Sequence, residues 1–272
     1  MILLILFILG AALGSLTTGL LGRLISNDFV LTYGTIISYP MMFIPPMLYA
    51  SANSRRNDMF ETGSALDSNN FGKMGGRWLT CILAVATLAT AVVSDSLAKV
   101  LPETPEWFEN AMEAIMDAPV WITLLSVSVF APLFEEWLCR GLVLRGLLQK
   151  MNPTAALSVS AIFFAVLHMN PWQAVPAFIL GSLFGYVYYK TGSLKLTMMM
   201  HCVNNTFAVI FSKIPATSEA ESLMDVISPW AYACIFVACL AFIWGTIVTL
   251  RSIPMNSEQA RCNCNEVDSL SI

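Results

Sequence analysis

Long apolar stretches broken by short polar clusters dominate the chain, and about 20 such residues in a row are what a helix needs to cross a bilayer. The pattern predicts eight of them, at about 1–25, 29–50, 78–100, 119–147, 154–169, 171–189, 193–212 and 229–250. The first, Met1 to Ile25, has no basic residues ahead of its apolar core, so it is expected to stay as a span and not to be cleaved as a signal peptide. Between the third and fourth runs, ETPEWFENAMEAIMD (Glu103 to Asp117) mixes acids with Trp107, Phe108, Met112, Ile115 and Met116. That mixture predicts a short amphipathic helix at the membrane surface. The expected fold is all-α, a polytopic membrane helical bundle of about eight transmembrane helices. Its expected organisation is three spans with loops over 1–118, a four-helix core over 119–212, and a last span with a polar tail over 213–272.

Composition agrees with this reading. Of 272 residues, 57% are hydrophobic and 12% charged, about half the charge of a soluble chain, which excludes an ordinary soluble domain. No basic tract points to nucleic acid. The charges also sort by side. Of the 14 Lys and Arg, Arg23, Lys99 and Lys213 fall on one side of the predicted spans and Arg140 within one, and the others fall on the opposite side. These are Arg55, Arg56, Lys73, Arg77, Arg145, Lys150, Lys190, Lys195, Arg251 and Arg261. The positive-inside rule then puts both termini in the cytoplasm.

Cys81, Cys139, Cys202, Cys234 and Cys239 lie in or beside apolar runs and read as packing residues, while Cys262 and Cys264 sit on the polar tail as an isolated CxC. Gly10 and Gly14, and Gly181 and Gly185, have the small-xxx-small spacing of close helix packing, read here as contacts within the chain in preference to a dimer seam. Asp95 and Lys99, four apart, are expected to pair.

The candidate chemistry lies where charge is most costly. Ionisable groups at the bilayer centre cost about 2.5–3.5 kcal/mol each, and the fourth run holds three in six residues: Glu135, Glu136 and Arg140. Glu136 and Arg140 share a helix face and predict an internal ion pair. Glu135 points about 100° away and is left without that partner. Pro132 removes a helical hydrogen bond and is expected to free the carbonyl of Ser128. The only two histidines, His168 and His201, lie in later apolar runs. Asn205, four beyond His201, shares its face, whereas Asn204 is turned away.

A carboxylate beside an imidazole can deprotonate water, and an imidazole with an amide can stabilise an oxyanion, so the set suits acyl hydrolysis. The same atoms also allow a metal reading, with Glu136, His168 and His201 around a divalent ion such as zinc. Cys139 and Cys202 adjoin the motifs but point to other faces, which disfavours a thiol mechanism.

Taken in order, Glu135, Glu136 and Arg140 (EExxxR), Phe164 and His168 (FxxxH), and His201 and Asn205 (HxxxN) resemble the CPBP family of intramembrane proteases. That family includes the type II CAAX prenyl endopeptidases and bacterial proteins tied to bacteriocin processing or self-immunity. The stretches SAIFFAVLH and EEWLCRGLVLRGLL are similar to its usual wording, and the resemblance covers about residues 119–212. It implies a polar cavity in the membrane opening toward the cytoplasm. It further implies that Glu135 with His168 activates water, that Glu136 and Arg140 orient the site, and that His201 with Asn205 forms the oxyanion hole, by a metal- or glutamate-dependent route.

The expected partners are the lipid bilayer and a membrane-embedded or lipidated peptide substrate, of CAAX or bacteriocin type. The expected location is a bacterial cytoplasmic membrane. The alternative is a non-catalytic membrane immunity or scaffold protein that keeps the fold. A transporter would show inverted repeats, and none is visible in the sequence.

Overall fold

The computed structural model describes residues 1–57, 66–97, 100–214 and 222–254, with side chains described as far as residue 53 in the first stretch. Regular structure among these residues is helical throughout. Each predicted apolar run becomes a helix: α1 (Ile2–Leu24), α2 (Asn27–Asn57), α3 (Gly76–Asp95), α5 (Val120–Leu147), α6 (Pro153–Leu167), α7 (Pro171–Thr191), α8 (Leu194–Lys213) and α9 (Pro229–Arg251). The amphipathic segment forms α4 (Glu106–Asp117). Four of the rods, α1, α3, α5 and α9, are long and apolar enough to cross a bilayer by length and composition. Helix α6 has 15 residues, about 22 Å at 1.5 Å per residue, which is short of a hydrocarbon core of about 30 Å.

Local chemistry sets the helix starts. Asn152, Asn170, Ser193 and Ser228 each accept a hydrogen bond from a backbone amide of the first turn, and proline follows directly after Asn152, Asn170 and Ser228. The glycine pairs act within the chain. Gly10 and Gly14 let α1 approach the α2 backbone at Met42 and Ser38, so α1 and α2 form a close hairpin. Gly181 faces Phe164 and Arg140, and Gly185 faces Leu157 and Leu144.

Helix α5 departs from ideal geometry. Its stretches Leu124–Phe130 and Trp137–Leu144 bond i to i+5, on either side of an α-helical Ala131–Glu136. Such wide turns recur at functional sites. They also correct the expectation for Pro132. The Ala131 amide reaches back five residues to the Ser126 carbonyl. In that register Pro132, which has no N–H, is the residue that would have served Val127. The carbonyl filled from outside the helix is accordingly that of Val127, by Asn205 Nδ2 at 2.8 Å.

The loops sort to the two ends of α7. At one end, segment 66–70 lies along the α7–α8 turn: the Ser68 amide donates to Gly192 O at 2.8 Å, the Tyr188 hydroxyl donates to Leu66 O at 3.0 Å, and Lys195 pairs with Asp67 at 2.8 Å. At the other end, Trp172 donates to Pro102 O at 2.7 Å and packs its ring on Trp107 and Phe108 of α4. The loops expected on the basic side therefore meet away from the acidic segment. Asp95 accepts from Ser222 Oγ at 2.8 Å and from the Leu223 amide at 3.1 Å, tying α3 to the segment before α9. Its expected partner Lys99, the side chains of Arg55 and Arg56, and Arg261, Cys262 and Cys264 lie outside the described residues.

Candidate active site

Four helices converge on one buried ion pair. Glu136 and Arg140 are fully buried, and Arg140 Nη1 donates to Glu136 Oε1 at 2.8 Å, so the predicted i,i+4 pair is present. Arg140 Nη2 donates to the Gly181 carbonyl of α7 at 2.9 Å. The guanidinium carbon lies 4.5 Å from the Phe164 ring centre of α6 and 5.5 Å from that of Phe184 on α7, within reach of cation–π attraction. Removing two such charges from water costs several kcal/mol per ion. Hydrogen bonds and aromatic faces around this pair offset part of that cost.

His201 of α8 joins the pair from the other side. Its Nδ1 is 3.0 Å from the same Glu136 oxygen, which assigns the proton to Nδ1, since a carboxylate only accepts. Its Nε2 lies 3.9 Å from Glu135 Oε2, too far for a direct hydrogen bond. One imidazole thus stands between both acids of the EE pair. Glu135 is also held on its other oxygen, Oε1, by the hydroxyl of Tyr39 from α2.

His168 is the C-cap of α6, at the α4 end of the bundle. Its Nδ1 is 3.0 Å from the Phe164 carbonyl. Donation there leaves Nε2 with a lone pair able to accept a proton or a hydrogen bond. The Phe164 ring lies edge-on to both imidazoles, with centroids 5.3 Å from His168 and 5.5 Å from His201. Asn205 gives one amide hydrogen to Val127 O and accepts from Asn204 Nδ2 at 3.0 Å, which leaves its second N–H.

Four buried side-chain atoms among the described residues lack a hydrogen-bond partner: Glu135 Oε2, Glu136 Oε2, Arg140 Nε and Ser128 Oγ. Three of them belong to the EExxxR segment. Native folds rarely tolerate such orphans outside functional places, and two of them are acceptors facing inward in a polar cluster.

The structure therefore brings Glu135, Glu136, Arg140 and His201 into one cluster, borders it with His168 through Phe164, and ties Asn205 to the same helix at Val127. Cys139 is fully buried, and Cys202 touches Thr206 at 3.9 Å. The described cysteines are free thiols. Sequence reasoning missed two contributors. Gly181 was visible only as a packing residue, and Tyr39 carried no signal because its partner lies 96 positions away.

For the metal set of Glu136, His168 and His201, the atoms without a hydrogen bond are Glu136 Oε2 and the Nε2 of each imidazole. Glu136 Oε1 is taken by both His201 Nδ1 and Arg140 Nη1. No group of three His, Cys, Asp or Glu side chains arranged to hold an ion occurs among the described residues.

Residues 117–207 match the family model described as type II CAAX prenyl endopeptidase, Rce1-like. The chain is 25% identical over 111 residues to the membrane protein YdiL of Bacillus subtilis, covering 40% of this chain and 46% of that one. It is 26% identical over 121 residues to the membrane-embedded CAAX protease MroQ of Staphylococcus aureus, covering 40% and 49%. An uncharacterized 24.3 kDa protein of Escherichia coli is 27% identical over 144 residues, covering 51% and 64%. The matched stretch spans about half the length of the first two relatives. No solved structure matches the chain. With its apolar rods and these membrane-protein relatives, the chain is an integral membrane protein.

Proposed function

We propose that this chain is an intramembrane endopeptidase that hydrolyses a peptide bond of a membrane-associated or lipidated substrate, in the manner of CAAX or bacteriocin processing. The observation that carries this reading is the buried, unpartnered Oε2 of Glu135, which faces His201 Nε2.

In this mechanism a water is held between Glu135 Oε2 and His168 Nε2. Glu135 takes its proton as the water oxygen attacks the scissile carbonyl carbon, and the carbonyl oxygen becomes an oxyanion. The free N–H of Asn205 and an N–H at His201 Nε2 stabilise that charge. With Nδ1 already bonded to Glu136, His201 presents this second N–H in its doubly protonated form. As the C–N bond breaks, Glu135 returns the proton to the leaving amine, giving a new carboxyl terminus and a new amino terminus. Glu136 and Arg140 touch no substrate atom; they fix the His201 ring and the α5–α7 spacing.

The catalytic unit is residues 119–212 in a bacterial cytoplasmic membrane, with both termini cytoplasmic. A mouth on the basic side makes His168, at the opposite end of α7, the far wall of the cavity.

The test is to purify the protein and incubate it with a panel of membrane-anchored and lipidated peptides, comparing wild type with Glu135→Ala and His168→Ala. Cleavage by the wild type that disappears in both variants supports the reading. Cleavage that persists in both removes it.

A further inference from the structure

Helix α2 lies outside the segment matched by the family model, which covers 117–207, yet it supplies the one side chain bonded to Glu135 Oε1. We infer that Tyr39 is a positioning residue for Glu135, and that the α1–α2 hairpin is therefore a working wall of the peptidase site and not only a membrane anchor. This rests on the peptidase reading above.

Three observations support it. The Tyr39 hydroxyl donates to Glu135 Oε1 while Oε2 remains buried and unpartnered, so the bond selects which oxygen faces His201. The phenol is not free to swing. Its ring packs on Phe43 with centroids 5.7 Å apart, and the fully buried Phe43 stacks on Phe134, the residue before Glu135, at 5.2 Å and 19°. Behind Phe43 lies Phe7 of α1, edge-on at 5.3 Å, on the hairpin that Gly10 and Gly14 allow to close.

The chemical consequence is specific. A carboxylate with two free oxygens can rotate about its last bond and offer either one, or turn away, because that terminal torsion is soft. A donor fixed on Oε1 removes the rotation and keeps Oε2 directed at the place where a proton is taken. This acts on the chemical step and not on substrate capture, so it belongs in kcat and not in KM.

The experiment compares full-length wild type, Tyr39→Phe, Phe7→Leu and Glu135→Gln on one cleaved peptide in detergent or liposomes. Tyr39→Phe keeps the aromatic packing and loses only the donor. The expected result is a fall in kcat of about ten- to a hundredfold with KM within about twofold and little change in thermal midpoint. Phe7→Leu loosens the hairpin behind Phe43 without removing the donor, and is expected to lower the thermal midpoint with a much smaller fall in kcat than Tyr39→Phe. If Glu135→Gln abolishes cleavage but Tyr39→Phe turns over like wild type, or loses kcat and thermal midpoint in the same proportion as Phe7→Leu, the inference about Tyr39 falls alone. If Glu135→Gln still cleaves, the peptidase assignment of Glu135 falls and takes Tyr39 with it.

Discussion

Arg140 of α5 donates through Nη2 to the backbone carbonyl of Gly181 on α7 at 2.9 Å, a link between two helices 41 residues apart in sequence. The contact is possible because position 181 has no side chain. A Cβ there would lie 2.8 Å from Phe164 Cδ1 and 3.4 Å from Arg140 Nη2.

Gly181→Ala separates this contact from helix propensity. Within a helix, alanine ordinarily gains about 1 kcal/mol over glycine. Here crowding of Phe164 and the guanidinium should reverse the sign and cost about 1–3 kcal/mol. Thermal unfolding in detergent should show a lowered midpoint; a raised one would mean that α6 and α7 give way freely.

Arg140→Met should be more damaging than its size suggests, because it leaves Glu136 charged and buried with His201 as its one remaining partner. Breaking one side of a buried pair typically costs about 3–5 kcal/mol. The double variant Arg140→Met/Glu136→Leu should recover much of the loss in stability and none of the activity. Midpoints and peptide cleavage measured on the same preparations check both halves.

Asp67 makes part of the fold pH-sensitive. Partial burial works to raise its carboxyl, but hydrogen bonds from the Lys195 side chain and backbone, the Lys195 charge and the Ser193 hydroxyl outweigh that and hold it below the usual carboxylate range. A carboxyl with a lowered folded pKa stabilises above its unfolded value of about 3.9, and that contribution is lost as pH falls from there through the folded value. Lys195 is largely exposed, so the effect is modest, under about 1 kcal/mol. Amide exchange of segment 66–70 should accelerate relative to the core as pH falls below about 4. Asp67→Asn should give the faster behaviour at every pH.

Chelators should not abolish cleavage. In the proposed mechanism Glu135 activates the water, and Glu136 Oε1 is occupied by His201 and Arg140. Activity measured after 1,10-phenanthroline or EDTA treatment should match the untreated enzyme. A loss restored by zinc would mean that the cluster rearranges around a metal when the protein works.

Much of this architecture was legible in the residues because its signals are local. Continuous apolar runs become helices, Asn-Pro and Ser-Pro pairs start them, and the four-residue spacing of Glu136 and Arg140 forms the expected pair. Features that depend on neighbouring helices were not legible. The wide turns of α5 moved the carbonyl left by Pro132 from the expected Ser128 to Val127, where Asn205 meets it. Tyr39 is one of many aromatic residues in an apolar run until α2 packs on α5. Gly181 reads as a spacer until Arg140 reaches its carbonyl.

The most direct test of the central claim is single-turnover cleavage of one identified peptide bond by wild type and Glu135→Gln, each shown to be folded by an unchanged thermal midpoint. Glutamine keeps the shape and cannot take a proton from water. The rate constant should fall by about a thousandfold or more, as expected for loss of a general base. A Glu135→Gln enzyme that cleaves within about tenfold of wild type would contradict the account.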